Sequence, residues 1–255
     1  MAIVDDSRTY GRARLSFATE ADIDEFADAL GQFERGEIGP DAWRAFRLVR
    51  GTYGQRQAED AQMVRVKIPQ GVLTAEQLDA LADVADSHSR GFGHITTRQN
   101  IQFHFVRLHD VEIAMRRLAD TGLTTREACG NSVRNITACP YAGVAADEVF
   151  DVTPYAEALT RHLLRHPLSS RLPRKFKIGF EGCPEDHTRT GINDLGFRAA
   201  VSDEGARGFR ITVAGGTAIL CRSGSLLHEF VPTSEIYNVA DAVLRVFAAF
   251  GDYQH

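Results

Sequence analysis

The chain has 255 residues, 44% of them hydrophobic and 25% charged, which is enough for one large or two small cores. A formal net charge of -5 and a pI near 6.0 exclude a general nucleic-acid or membrane-surface binder, so any functional positive charge must be local. No apolar run approaches the roughly 18 residues of a membrane helix. The N-terminus has no basic segment leading into an apolar one. Four scattered cysteines, Cys129, Cys139, Cys183 and Cys221, make no secreted disulfide framework, and a cytoplasmic protein with reduced thiols is expected.

In chain order, residues 1–19 read as a polar, aperiodic lead-in. Ile23, Phe26, Ala27, Leu30 and Phe33 form a helical stripe over 20–34. Pro40 opens a second helix with Trp43, Phe46 and Leu48. These segments make a helical N-terminal region, 1–49, and residues 49–61 read as a loop. Met63–Ile68 alternates as a strand, with Arg65 and Lys67 on one face. Thr74-Ala75-Glu76-Gln77 is a capping box ahead of a helix carrying Leu78, Leu81 and Val84. His94–Thr97 and Ile101–Leu108 read as two strands joined by a tight turn. Asp110 caps a helix that Gly122 ends, and 123–128 reads as a closing strand. The order β-α-β-β-α-β is ferredoxin-like and defines a domain over 50–128.

From residue 129 the pattern changes. Val133–Thr137 is short and apolar, and Pro154 opens a helix over 154–166. Strands are expected at Phe176–Phe180, Leu195–Val201, Gly208–Ala214 and Ala218–Cys221. Ser234–Phe250 is a helix burying Ile236, Val239, Val243, Val246, Phe247 and Phe250. The fold class is therefore α+β, with a ferredoxin-like domain followed by a mixed α+β domain over 129–255.

Basic residues recur at ordered places. Arg65 and Lys67 share a strand face, Arg98 stands in a turn, and Arg134 precedes Asn135. Lys175 and Lys177 alternate along a strand, about 7 Å apart on one side. Two such lysines repel unless an anion lies between them, and arginine forks suit oxyanions and carboxylates.

The motifs Val64-Arg65-Val66-Lys67-Ile68-Pro69, Thr97-Arg98-Gln99-Asn100-Ile101-Gln102-Phe103-His104, Arg134-Asn135 and Pro173-Arg174-Lys175-Phe176-Lys177 occur in that order. Together they resemble the sirohaem-dependent nitrite and sulfite reductases, over about residues 40–255 and over the N-terminal half of such an enzyme only. The resemblance implies reduction of sulfite to sulfide or of nitrite to ammonia. It implies that Arg65, Arg134, Lys175 and Lys177 surround the substrate anion on sirohaem as catalytic residues. It implies that Thr97, Arg98, Gln102, Arg134, Asn135, Lys175 and Lys177 bind the cofactor. Sirohaem carboxylates cannot be buried uncompensated, which gives so many cations a reason.

The family also holds a [4Fe-4S] cluster on C-x5-C and C-x3-C cysteines of its second half. Cluster ligands are not evident in this chain. Cys139-Pro140 and Cys183 with His187 resemble degenerate remnants, and Cys139 and Cys183 are read as packed thiols, with no metal ligand assigned. A mononuclear site using Cys183 and His187 is the alternative. The implied partners are sulfite or nitrite, a ferredoxin or flavoprotein electron donor, and a second half-chain or a homodimer. The alternative function is a non-catalytic sirohaem- or anion-binding half-protein that acts only beside a cluster-bearing partner. Arg90-Gly91-Phe92-Gly93 copies the opening of an RNA-recognition signature, but His94, Thr96 and Thr97 replace its stacking aromatics and the segment leads into the wrong strand. Neither nucleic acid nor membrane is expected as a partner.

Overall fold

Alternating apolar residues on strands and apolar stripes on helices must be buried against one another, and here they are buried in two separate places. The computed structural model describes residues 16–57, 60–219 and 221–253. Most of the lead-in expected over 1–19 lies outside them. Among the described residues the chain divides into two compact units, 16–68 with 72–132, and 69–71 with 133–253.

The first unit contains α1 (Glu20–Glu34), α2 (Pro40–Val49), β1 (Thr52–Gly54), β2 (Ala61–Val66), α3 (Ala75–His88), β3 (His94–Ile95), β4 (Ile101–Arg107) and α4 (Asp110–Ala119). Its antiparallel sheet has the order β1-β2-β4-β3. From β2 to α4 the elements follow the ferredoxin-like order. The expected closing strand is reduced to one bridge, Lys67 to Thr124, where the Lys67 N–H donates to the Thr124 carbonyl at 2.9 Å. The reason is β1, in the segment read as a loop, which pairs with Gln62–Val64 and takes that flank of β2. Gly51, with φ +77°, makes the entry to β1 possible, because a Cβ there would stand 2.5 Å from the Thr125 carbonyl oxygen.

Strand alternation sends Val64, Val66 and Phe103 into the core against Val84, Val111, Ala114 and Leu118. The α3 capping box forms as expected: Gln77 N–H donates to Thr74 Oγ1, and Thr74 N–H donates to Gln77 Oε1. Asp110 is the first helical residue of α4 rather than its cap, a place where its charge favours the helix dipole. Trp43 anchors α2 between Phe33 and Phe46, with Phe26 tilted against it.

The second unit contains β5 (Thr137–Ala138), α5 (Thr153–Leu163), β6 (Ile178–Glu181), β7 (Leu195–Val201), β8 (Arg207–Val213), β9 (Ser225–Pro232) and α6 (Ile236–Phe250). The sheet order is β5-β6-β7-β8-β9, parallel from β5 to β7 and antiparallel from β7 to β9. The strand expected at 176–180 begins two residues later. Phe176 contributes only a single parallel bridge to Val133.

Among the described residues of 218–221 no strand forms; Leu220 lies outside them. The hairpin partner of β8 is β9 instead, whose register with β8 is irregular and whose residues are mostly exposed. An exposed edge strand carries no inward–outward alternation to read.

Helix α6 buries Ile236, Ala240 and Leu244, an i, i+4, i+8 stripe. Val239, Val243 and Phe247 pack only partly, and Val246 and Phe250 are 58% and 86% exposed. Part of the stripe expected to be buried thus lines an open cavity of about 800 Å³ with Phe176, Val213 and Leu227. No helix among the described residues is long and apolar enough to cross a membrane.

The core of this unit is centred on Phe209, which meets Phe150, Tyr155, Phe180 and Phe197 edge-on at 5.4–5.7 Å. Phe209→Ala removes all four contacts and leaves a cavity. The substitution is expected to cost about 3–5 kcal/mol in a denaturant titration.

Candidate functional site

Three groups of side chains are candidates for chemistry, one in the first unit and two in the second. In the first unit, the face of the sheet opposite the core presents a polar row. Arg65 on β2 stands directly across from Gln102 on β4, and Gln102 across from His94 on β3. Arg65 Nε donates to Gln102 Oε1 at 2.8 Å, a second N–H of Arg65 goes to the same oxygen, and Arg65 Nη1 donates to the Ala128 carbonyl at 3.2 Å. One N–H on each terminal nitrogen remains for an anion.

Gln102 Nε2 lies 3.2 Å from His94 Nδ1, which lies 3.4 Å from His104 Nε2. His104 Nδ1 meets Gln55 Nε2 at 3.2 Å. In the sequence His104 stands only as the last residue of the Thr97–His104 motif. The structure joins Gln55, His104, His94, Gln102 and Arg65 into one polar chain. Gln55 and His94 had no sequence signal, because strand pairing alone brings them there. Thr97 is exposed and Arg98 half-buried in the β3–β4 turn, where Gln99 has a positive φ of 56°.

In the second unit, Arg134 and Asn135 run beside Pro173–Lys177. The Arg134 N–H donates to the Phe176 carbonyl at 2.8 Å. Arg134 is half-buried, Asn135 buried and Lys175 exposed. Lys177 is already engaged. Its Nζ is 3.0 Å from Asp194 Oδ2, and the same oxygen accepts its backbone N–H at 2.7 Å. Asp194 was not singled out from sequence. Its effect is to fix Lys177 and offset its charge.

At the carboxyl ends of β5 and β6, Cys139, Glu181, Cys183 and His187 converge, their donor atoms all within 4.8 Å of one another. Burial pushes the Cys139 thiol well above the ordinary cysteine range and raises that of Cys183. As a [4Fe-4S] site this group does not fit. It offers two thiolates where the cluster takes four. Of the other cysteines, Cys221 is exposed and Cys129 belongs to the first unit.

Comparison with known proteins gives these features a setting. The model described as nitrite and sulphite reductase 4Fe-4S domain matches residues 129–255, and that described as nitrite/sulfite reductase ferredoxin-like half domain matches residues 53–121. The chain is 35% identical over 195 residues to a ferredoxin–nitrite reductase of Leptolyngbya laminosa, covering 74% of this chain and 38% of the relative. It is 32% identical over 189 residues to sulfite reductase (ferredoxin) 1 of Mycolicibacterium paratuberculosis, covering 74% and 34%. The chain therefore spans about a third of the length of these curated relatives. The structure of Mycobacterium tuberculosis NirA protein superposes with a TM-score of 0.79 at 29% identity, over 92% of this chain and 48% of that one. Dissimilatory sulfite reductase I shares the fold, with a TM-score of 0.65 at 14% identity.

Two measurements test the electrostatics. Burial, then His94 and Arg65, depress the His104 pKa. A depressed imidazole pKa means the unfolded state takes up a proton first, so stability falls as pH drops below about 6.5, toward the lower folded value. His104→Asn should flatten the melting temperature between about pH 7 and pH 5.5, the range in which imidazole charges. Asp194→Ala leaves the Lys177 N–H and ammonium without their acceptor. It is expected to cost about 1–3 kcal/mol by chemical denaturation.

Proposed function

Because this chain belongs to the nitrite and sulfite reductase family, we propose that it supplies the anion-handling part of a sirohaem-dependent reductase of sulfite (to sulfide) or nitrite (to ammonia). The observation that carries the reading is the motif Thr97–His104, folded so that Gln102 holds Arg65 with N–H donors left over. A guanidinium held in this way is pre-organised to meet an oxyanion or carboxylate, with little ordering left to do on binding.

The donor set fits sirohaem on charge: a tetrapyrrole bearing many carboxylates needs the arginines and lysines that the motifs supply. Arg65, Arg134, Lys175 and Lys177 would neutralise the substrate anion and polarise its bonds to oxygen. Thr97, Arg98, Gln102 and Asn135 would hold the cofactor with them. Electron delivery to the anion is the chemistry that bound sirohaem supplies. The histidine pair His94 and His104, linked to Arg65 through Gln102, is suited to relaying protons consumed in reduction. The ferredoxin named in the relatives is the class of electron donor to test first, with a flavoprotein as the other class.

The [4Fe-4S] cluster has no fitting ligand set in this chain. The cluster ligands would therefore lie outside these 255 residues, in a second half, and a homodimer of these residues would not provide them. That same observation favours a second reading, a non-catalytic sirohaem- or anion-binding half-protein that acts only in such a complex.

Titration of the chain with sirohaem, followed by absorbance, tests both. Saturable binding is expected, with a further spectral change on adding sulfite or nitrite. Arg65→Met should weaken binding by about ten- to a hundredfold, the loss of one or two charge-assisted hydrogen bonds. Absence of binding overturns both readings. Binding without turnover by reduced ferredoxin, even beside a cluster-bearing half, selects the second.

A further inference from the structure

We propose that Cys139, Glu181, Cys183 and His187 form a binding site for a single divalent metal ion of the zinc class. The site lies within the second unit and stands independently of the reductase reading.

The first argument is geometric. Cys139 Sγ is 3.6 Å from Cys183 Sγ and 3.5 Å from His187 Nδ1, and His187 Nδ1 is 3.8 Å from Glu181 Oε1. Zinc bonds of about 2.3 Å to sulfur and about 2.0–2.1 Å to nitrogen or oxygen, arranged tetrahedrally, put sulfurs about 3.8 Å apart, sulfur and nitrogen about 3.5 Å, and nitrogen and oxygen about 3.4 Å. These three of the six edges match such a tetrahedron to within about 0.4 Å, and all four donor atoms lie within 4.8 Å of one another. Two packed thiols alone could touch at this distance. Packing does not explain why an imidazole nitrogen and a carboxylate oxygen are aimed at the same point.

The second argument is electrostatic. Glu181 is wholly buried, and no lysine or arginine among the described residues pairs with its carboxylate. Its oxygens accept from the backbone N–H groups of Cys183 at 2.8 Å and Thr188 at 2.9 Å, and from the Thr188 hydroxyl at 3.1 Å. These bonds orient the carboxylate without supplying a charge. An isolated buried carboxylate is costly, and a divalent cation is the compensation this arrangement lacks.

The third argument is the scaffold. Cys139 directly follows β5 and Glu181 ends β6, so parallel pairing sets two of the four ligands side by side. The Cys139 N–H donates to the Phe180 carbonyl at 3.0 Å. The loop that carries Cys183 and His187 is tied down by Asp186, whose carboxylate accepts the Thr190 N–H and hydroxyl, both at 2.9 Å. Glu185 lies 3.6 Å from His187 Nε2, on the far side of the ring from the ligand nitrogen, and Tyr141 meets the ring edge-on at 5.0 Å. Such outer partners fix the tautomer and orientation of a metal-bound histidine. His187 is 24% exposed at its side chain, which gives an ion a path in. Four protein ligands close the coordination sphere, so the ion's role is structural, clamping the β5 and β6 ends together.

Metal analysis of the full 255-residue chain, produced without a polyhistidine tag in zinc-supplemented medium, tests the proposal. About one zinc per chain is expected, the stoichiometry of a mononuclear site. Cobalt(II) exchanged into the unaltered chain should give thiolate-to-metal charge-transfer absorption and strong tetrahedral ligand-field bands. Cys183→Ser and His187→Ala should abolish both signals. His187→Cys should keep them, which separates lost coordination from lost folding, and Cys221→Ser should leave them unchanged. A folded, metal-free chain that takes up neither zinc nor cobalt overturns the proposal. So does a Cys139–Cys183 disulfide in the reduced-purified protein, or iron with acid-labile sulfide in place of zinc.

Discussion

The alternation of side chains along a strand governs what each unit can offer to a ligand. On β2 and β4, Val64, Val66 and Phe103 must enter the core, so Arg65, Gln102 and His104 are committed to the other face. On the approach to β6 and along it, Phe176, Ile178 and Phe180 fill the aromatic core, and Lys177, Gly179 and Glu181 take the opposite side. The apolar residues supply the energy of folding. The polar residues between them are then held at fixed spacing on rigid elements, without needing stabilising contacts of their own.

That arrangement makes charge compensation the quantity that separates one polar residue from another. Lys177 has Asp194 and Arg65 has Gln102, so each enters any binding event already oriented. Glu181 has hydrogen bonds and, among the described residues, no strong cation. A buried, uncompensated carboxylate beside two thiols and an imidazole is a different feature from a surface acid, and it directs attention to a part of the molecule that the basic motifs do not touch.

The same place bears on how this chain relates to its relatives. Its ferredoxin-like half domain and its reductase domain both match, and the fold is shared with the NirA structure across 92% of the chain. Yet the residues gathered at the ends of β5 and β6 include two cysteines, a histidine and a glutamate, which suits one ion better than a cubane of irons. Family membership therefore describes the scaffold, and the ligand set has to be read from the side chains themselves.

Helix stripes over 20–34 and 236–250, the Thr74 capping box, the β2 and β7 strands and the four basic motifs were all legible in the sequence. Each is a local signal: a period, a cap or a short run that needs no distant partner to form. Strand β1, strand β9 and the shrinking of the closing strand to a Lys67–Thr124 bridge were not legible, because pairing decided them and exposed edge residues carry no alternation. Nor was the exposed half of the α6 stripe, where apolar sequence promises burial but only a neighbouring surface provides it. The sequence by itself determined which residues carry charge, thiol and imidazole. The tertiary structure decided which of them meet, since Gln55 with His104, Lys177 with Asp194 and Cys139 with Cys183 are 49, 17 and 44 residues apart and only the packing of the strands and loops that carry them makes them neighbours.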